Sequence, residues 1–409
     1  MSKFLLLVYS ILFYVNTFSQ GYQVNFQGQK QQGMASAGTA LPQDASTIFF
    51  NPGALSFLKQ NEINAAITPT FSSILFEEEG TNLNAVTNSP VGTPFSFYAN
   101  FKKKDESKFS FGLGIYTPFG STVQWEEGWM GRYAMMRLQL KAIFFQPTIS
   151  FKITDKLGIG AGFIYSSGSV NLQKNIPVLD SEGNDGLAEL SGKAAGFGYN
   201  AGIYYSVNKK LSFGLTYRSQ VNMAIDNGTA TFTVPTSLEA NFPDGKFSSS
   251  LPLPQILTLG AAYTINEKMS IAVDVNSVGW SAYDTLSFDY ETNTESLIDT
   301  KSARSYKNAF AFRLGGQYKL NEQFTTRLGL AYGITPVQNG FVTPETPDAN
   351  RLIYTAGISV NLGLHFNIDA SVLYTHLERT DTNLETNLSG KFTTNVIAPG
   401  LSISYLFKP

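Results

Sequence analysis

Two histidines, no cysteine and no glycine-rich loop between a strand and a helix leave little for catalysis in this 409-residue chain. His365 and His376 have no partner at a metal-ligand spacing, and the absence of thiolates removes the common cysteine-based sites. One serine among many beside His376 is no triad, and without a phosphate loop nucleotide binding has no support. No enzyme and no cofactor is therefore expected. The residues that could do other chemistry are cations and aromatics. Arg218, Asp274, Arg313, Arg327 and Asp369 stand singly in otherwise apolar stretches. Trp125 and Trp129 cluster with Phe119, Met130, Met135 and Met136, a composition suited to a groove that captures a hydrophobic molecule. A formal net charge of -2, with Lys102–Lys104 the one basic cluster, argues against nucleic acid as a partner.

Those charges need elements to hold them, and the chain offers strands. Leu157, Ile159, Ala161, Phe163 and Tyr165 alternate with Gly158, Gly160, Gly162 and Ile164, the period of a strand with two unlike faces. The same comb recurs over Leu257–Ile265 and Phe324–Tyr332. Fourteen strands are predicted, near 62–72, 94–103, 107–118, 136–153, 157–170, 196–207, 211–223, 253–265, 269–280, 306–320, 324–335, 352–362, 366–378 and 392–407. Short polar links such as Thr154-Asp155-Lys156 and Asn208-Lys209-Lys210 alternate with long ones: 73–93, 119–135, 171–195, 224–252, 281–305, 336–351 and 379–391. That alternation is the signature of an antiparallel transmembrane β-barrel in an outer membrane, with tight turns on one rim and long loops on the other. The five lone charges fall on the small or polar face of their strands. A charge facing lipid at mid-bilayer costs roughly 2–4 kcal/mol, so one clean face is what a barrel requires. Apolar runs after residue 20 reach only about four residues, far below the ~20 of a spanning helix.

Residues 1–20 have the order of an export signal: Lys3, an apolar stretch from Phe4 to Val15, then the polar Asn16–Gln20. Cleavage before Gly21 is expected. Residues 21–60 do not fit the comb and are rich in glycine and alanine. Fourteen strands enclose a lumen too wide for side chains alone to fill, so this segment is expected to be a plug, or hatch, ahead of a barrel over 61–409. Tyr22, Val24, Phe26, Ile48, Phe49 and Phe50 make it unusually apolar for a hydrophilic pore.

The hatch sequences Gly21-Tyr22-Gln23-Val24-Asn25, Gly33-Met34-Ala35-Ser36-Ala37-Gly38 and Asp44–Leu55, with its Asn51-Pro52-Gly53, resemble the hatch of the FadL-type outer-membrane transporters. The likeness continues through Gly131-Arg132-Tyr133, Leu215–Ser219, Leu251-Pro252-Leu253-Pro254, Trp280-Ser281-Ala282-Tyr283 and Pro347–Arg351. It implies transport of hydrophobic small molecules, long-chain fatty acids first, by capture at external loops, binding beside the hatch and release through a gap in the wall. It also implies a monomer in the outer membrane of a Gram-negative cell, surrounded by lipid and lipopolysaccharide. On this resemblance Tyr22, Val24 and Phe26 would contact ligand, Lys307 would face its carboxylate, and Asn51 and Pro52 would anchor the hatch. Arg132, Trp125 and Trp129 are the remaining candidates. The fifth strand carries Ser166-Ser167 where fatty-acid transporters place a basic residue, which leaves neutral aromatic hydrocarbons open. A shuttle or interaction role in type IX-like secretion is the alternative from another class.

Overall fold

A computed structural model describes residues 21–104 and 107–407; the export signal and the final Lys408-Pro409 lie outside the described residues. Fourteen antiparallel strands close into one barrel. They are β1 (Glu62–Ile67, continued by Phe71–Glu78), β2 (Phe95–Phe101), β3 (Phe109–Gln124), β4 (Arg137–Lys152), β5 (Leu157–Leu179), β6 (Asp185–Ser206) and β7 (Leu211–Arg218 and Val221–Thr233). After them come β8 (Gly245–Leu253 and Ile256–Thr264), β9 (Met269–Val278 and Thr285–Tyr290) and β10 (Thr300–Ala303 and Ala309–Lys319). The circuit ends with β11 (Phe324–Gly333), β12 (Arg351–Leu362), β13 (Phe366–Thr382) and β14 (Ser389–Leu406). β1 closes it against β14, with Glu62 opposite Leu406.

The alternation produces an inverted core. Phe163, Phe197, Leu259 and Leu328 are exposed on the outward face, where lipid takes the place of a protein interior. Arg218, Asp274, Arg313, Arg327 and Asp369 are buried inside, as their strand positions require. The lumen is filled by the segment before β1, which carries two single-turn helices, α1 (Gln29–Gln32) and α2 (Thr47–Phe50), and a 3-10 turn at Pro52–Phe57. Wall glycines let it approach closely. A Cβ at Gly160 would lie 2.3 Å from the Pro52 carbonyl oxygen, and one at Gly329 2.3 Å from the Ala35 nitrogen. The small face of the β5 comb is the bed of the hatch.

Two features differ from the sequence reading. Several segments expected as loops are strand: β5 and β6 run on to Leu179 and from Asp185, so most of 171–195 is paired. Above the apolar band the outward face turns polar, with Asn171, Gln173 and Asn175 in the positions that Phe163 and Tyr165 hold below, so the outward apolar comb stops while the backbone ladder continues. The second difference is a row of breaks. β7 to β10 are interrupted at 219–220, 254–255, 279–284 and 304–308, and β1 at 68–70. Pro69 and Pro254 cannot donate to a ladder, which accounts for the breaks in β1 and β8.

Candidate functional site

β3 bulges at Thr117-Pro118, where its register with β4 slips between Tyr116 and Phe119. Its pairing with β2 ends at Ser96–Tyr116. Beyond that point the hatch tip takes over the vacated edge. Val24 N donates to the Pro118 carbonyl (2.9 Å), and Gly120 N donates to the Tyr22 carbonyl (3.3 Å). Gln23 pairs with Phe119, and Gln27 Nε2 reaches the Thr117 carbonyl at 3.2 Å. A short extended segment of the plug, residues 22–24, is therefore bridged to the β3 edge at this height.

From that segment Tyr22 enters an aromatic cage. Its ring lies 4.7 Å from Trp280, 5.8 Å from Tyr283 and 6.2 Å from Phe119, all edge-to-face. Its hydroxyl donates to the Pro252 carbonyl at 3.2 Å. Burial, with Tyr283 and Tyr306 beside it, holds the phenol well above the ordinary tyrosine range, so Tyr22 is neutral. Gly21 N donates to Asp348 Oδ2 at 2.8 Å, which fixes the tip from the other side.

Tyr22 is also one wall of an apolar cavity with about 840 Å³ of empty space, part of it open to solvent. Leu138 and Leu140 of β4, Leu172 of β5, Met223 and Ile225 of β7, and Leu251 and Leu253 of β8 line it, with Leu286 and Phe288 of β9. Two charged residues touch it. Glu345 is matched by Arg304 at 3.1 Å. Lys141 contributes from a wall position that shares the outward face of β4 with Ile143 and Phe145. Arg304 is held in turn by Ser302 Oγ at 2.7 Å and by the Tyr283 hydroxyl at 3.4 Å. The cavity can shelter an apolar body and presents no unmatched charge from the lumen.

Below it lies a polar cavity bounded by Gln23, Asn25, Thr39, Arg218, Asp274 and Arg313. Its charges serve the hatch. Arg218 donates to the Tyr116 hydroxyl (2.6 Å) and the Phe49 carbonyl (3.1 Å), and stands 4.5 Å over the Phe49 ring. Arg313 donates to the Ser36 carbonyl (3.2 Å) and Asn25 Oδ1 (2.9 Å). Asp274 accepts from the backbone of Gly38 and Thr39, both at 3.0 Å. The arginines thus reach hatch groups and wall polar groups rather than pairing directly with the wall carboxylates. Asn51 ties the hatch together: Nδ2 donates to the Thr39 and Ile203 carbonyls (2.8 and 3.0 Å), and Oδ1 accepts from Gly53 N at 2.9 Å. Pro52 begins the 3-10 turn that follows.

Of the residues singled out from sequence, Tyr22 is the one the structure places in the apolar cavity wall. Val24 lies on the β3 edge, and Phe26 packs on Ala35, Ala331 and Ile353. Trp125 and Trp129, expected in an open groove, are stacked at 4.2 Å and buried against Phe76 and Phe392. Trp129 Nε1 donates to the Met135 carbonyl at 2.9 Å, so this pair closes the loop on itself. Arg132 is bound to Asp185 at 2.6 Å and to the Tyr133 hydroxyl. Lys307 is exposed and lies outside the cavity lining. Trp280, Tyr283, Arg304 and Glu345 were not read as site residues. The break within β9 that carries Trp280 and Tyr283 is the available signal.

Known proteins of similar sequence include a putative outer membrane protein of Neisseria meningitidis serogroup B, 26% identical over 95% of both chains. The long-chain fatty acid transport protein of Escherichia coli K12 is 21% identical over 93% of both. Among solved structures, a Pseudomonas aeruginosa FadL homologue superposes with a TM-score of 0.82 at 20% identity, covering 95% of this chain and all of that one. The Pseudomonas putida toluene transporter TodX gives 0.75 at 16% identity, covering 96% of this chain and all of that one. Residues 11–407 match the model of the outer membrane protein transport proteins (OMPP1/FadL/TodX). This chain belongs to that family: an outer-membrane barrel that transports hydrophobic compounds and is not an enzyme.

Proposed function

We propose that cargo enters the apolar cavity, displaces Tyr22, and leaves sideways where the hatch tip then releases the edge of β3. One observation carries this reading: Tyr22 is at once a wall of the cavity and a residue of the segment bridged to the β3 edge. Filling the cavity favours binding by ~0.8 kcal/mol per buried CH₂. The hydrogen bonds that seat the tip, through Gly21 N, the Tyr22 hydroxyl, Val24 N and Gly120 N, contribute about 0.5–1.5 kcal/mol each, and the aromatic cage adds to them. A cargo that buries several methylene groups and takes the place of the Tyr22 ring in the cage can therefore move the tip.

The charges favour a neutral cargo. Glu345 already occupies Arg304, and an additional carboxylate in an apolar site costs free energy unless it is matched. The P. putida relative is named a toluene transporter and the E. coli relative a fatty acid transporter. Arg304 supports fatty acid as a second reading, since an incoming carboxylate could compete with Glu345 for the guanidinium. The test is uptake of labelled toluene and labelled oleate by an outer-membrane host lacking its own transporter of this kind. Toluene uptake that falls at least about tenfold in Tyr22→Ala, which removes the group that cargo displaces, and rises on deletion of residues 21–26, which opens the exit, supports the reading. Uptake indifferent to both changes removes it.

A further inference from the structure

The outward faces of β4, β5 and β6 change character along a single register row. Phe145, Tyr165 and Phe197 stand opposite one another, with ring centroids 6.0 and 5.4 Å apart. One step toward the loops lie Ile143, Ser167 and Ala195, and in the next row Lys141, Ser169 and Lys193. Leu157–Tyr165 is the apolar face of β5, and the lysine row begins where that face ends. Both lysines are exposed, and among the described residues neither is in an ion pair or a side-chain hydrogen bond.

Nearby carboxylates do not neutralise them. Glu189, on the same face of β6, accepts from Asn171 (2.6 Å) and Gln173 (3.0 Å). Asp226 lies in the register slip of β7 against β6 and makes no ion pair among the described residues. The far side of the barrel differs: Lys391 of β14 is paired to Glu378 of β13 at 2.9 Å, with His376 3.8 Å from the same carboxylate. Lys141 and Lys193 thus stand unmatched side by side at the upper edge of an apolar band. Lysine ammonium groups reach from such a band into the headgroup layer.

We propose that Lys141, Ser169 and Lys193 bind the phosphate of an outer-leaflet glycolipid, whose acyl chains lie on Phe145, Tyr165 and Phe197. Lysines on strands two apart start roughly 9–10 Å from each other, because neighbouring strands are ~4.8 Å apart. Two flexible side chains leaning together over Ser169 can meet on one phosphate, and the serine hydroxyl supplies a third donor. The apolar row below distinguishes a lipid phosphate from a free one.

Native mass spectrometry of the full barrel in detergent tests this, with bis-phosphorylated lipid A, enzymatically dephosphorylated lipid A and inorganic phosphate as probes. The wild type should retain bis-phosphorylated lipid A at least about tenfold better than Lys141→Gln/Lys193→Gln. Lys391→Gln should match the wild type, and Lys141→Arg/Lys193→Arg should restore retention if the glutamine pair folds poorly. Equal retention by the glutamine and arginine pairs, equal retention of the dephosphorylated lipid, or inorganic phosphate bound as well as the lipid would each overturn the proposal.

Discussion

At the edge of the apolar cavity Arg304 and Glu345 sit 3.1 Å apart, and on the proposed reading this pair sets the charge the cavity accepts. Glu345→Gln leaves the guanidinium without its carboxylate. Oleate uptake is then expected to rise severalfold while toluene uptake stays near wild type. A fall in both would mean that Glu345 shapes the cavity rather than its charge. Asn51 is the clearest structural residue of the hatch, with three hydrogen bonds, two of them buried. Asn51→Ala strands their partners and should cost about 1–3 kcal/mol, seen as a lowered midpoint in thermal or denaturant unfolding. Arg132 acts farther out. Its hydrogen bond to Asp185, joined by that of Tyr133, holds the carboxyl below the ordinary range. A lowered pKa gives a tie present at neutral pH and lost as pH falls through the lowered value. Arg132→Ala should therefore speed proteolysis of the 126–136 loop at neutral pH and leave cargo uptake unchanged; slowed uptake would return Arg132 to the transport path. Asn51-Pro52 and Tyr22 were legible in the sequence because a hatch motif surrounds them. Glu345 and Arg304 were not, because a cavity wall assembled from several strands has no local signal.

At the scale of elements, the β3 bulge and the glycine-lined faces do most of the positioning. Gly160 and Gly329 are the bed on which the plug rests. Gly329→Val puts side-chain atoms where Ala35 N now lies, and the plug has to shift. The expected outcome is a folded barrel with a loosened hatch, seen as raised ion conductance in planar bilayers and unchanged heat-modifiable migration on gels. Conductance equal to wild type would show that the wall can yield around a bulkier residue. The strands themselves were legible, since lipid on one side and plug on the other force two unlike faces. Their upper ends were not. Around Lys174 and Asn175 the outward face is polar, so no outward apolar row marks the pairing that continues there. The bulge at Thr117-Pro118 was equally silent, because a single extra residue flips the alternation without changing composition.

For the whole molecule, a closed wall with a plug raises the question of where an apolar cargo leaves. The proposed exit lies where residues 22–24 of the hatch bridge to β3 beyond the end of its pairing with β2. The barrel, its strand number and its plug followed from pattern and composition, because a bilayer tolerates few backbone solutions. The site did not, because it depends on how the broken strands β7 to β10 converge over the hatch tip. The chain contains no cysteine, so one designed disulfide can test the exit without background. Gln23 and Phe119 are bridge partners, and antiparallel partners lie within the ~4.4–6.8 Å Cα range a disulfide accepts. Uptake of toluene should be measured for Gln23→Cys/Phe119→Cys under oxidising conditions and again after reduction, with each single variant alongside. Uptake should be lost when the tip is tied to β3, return on reduction, and persist throughout in the single variants. Equal uptake by the tied and the reduced double variant would contradict release by the hatch tip.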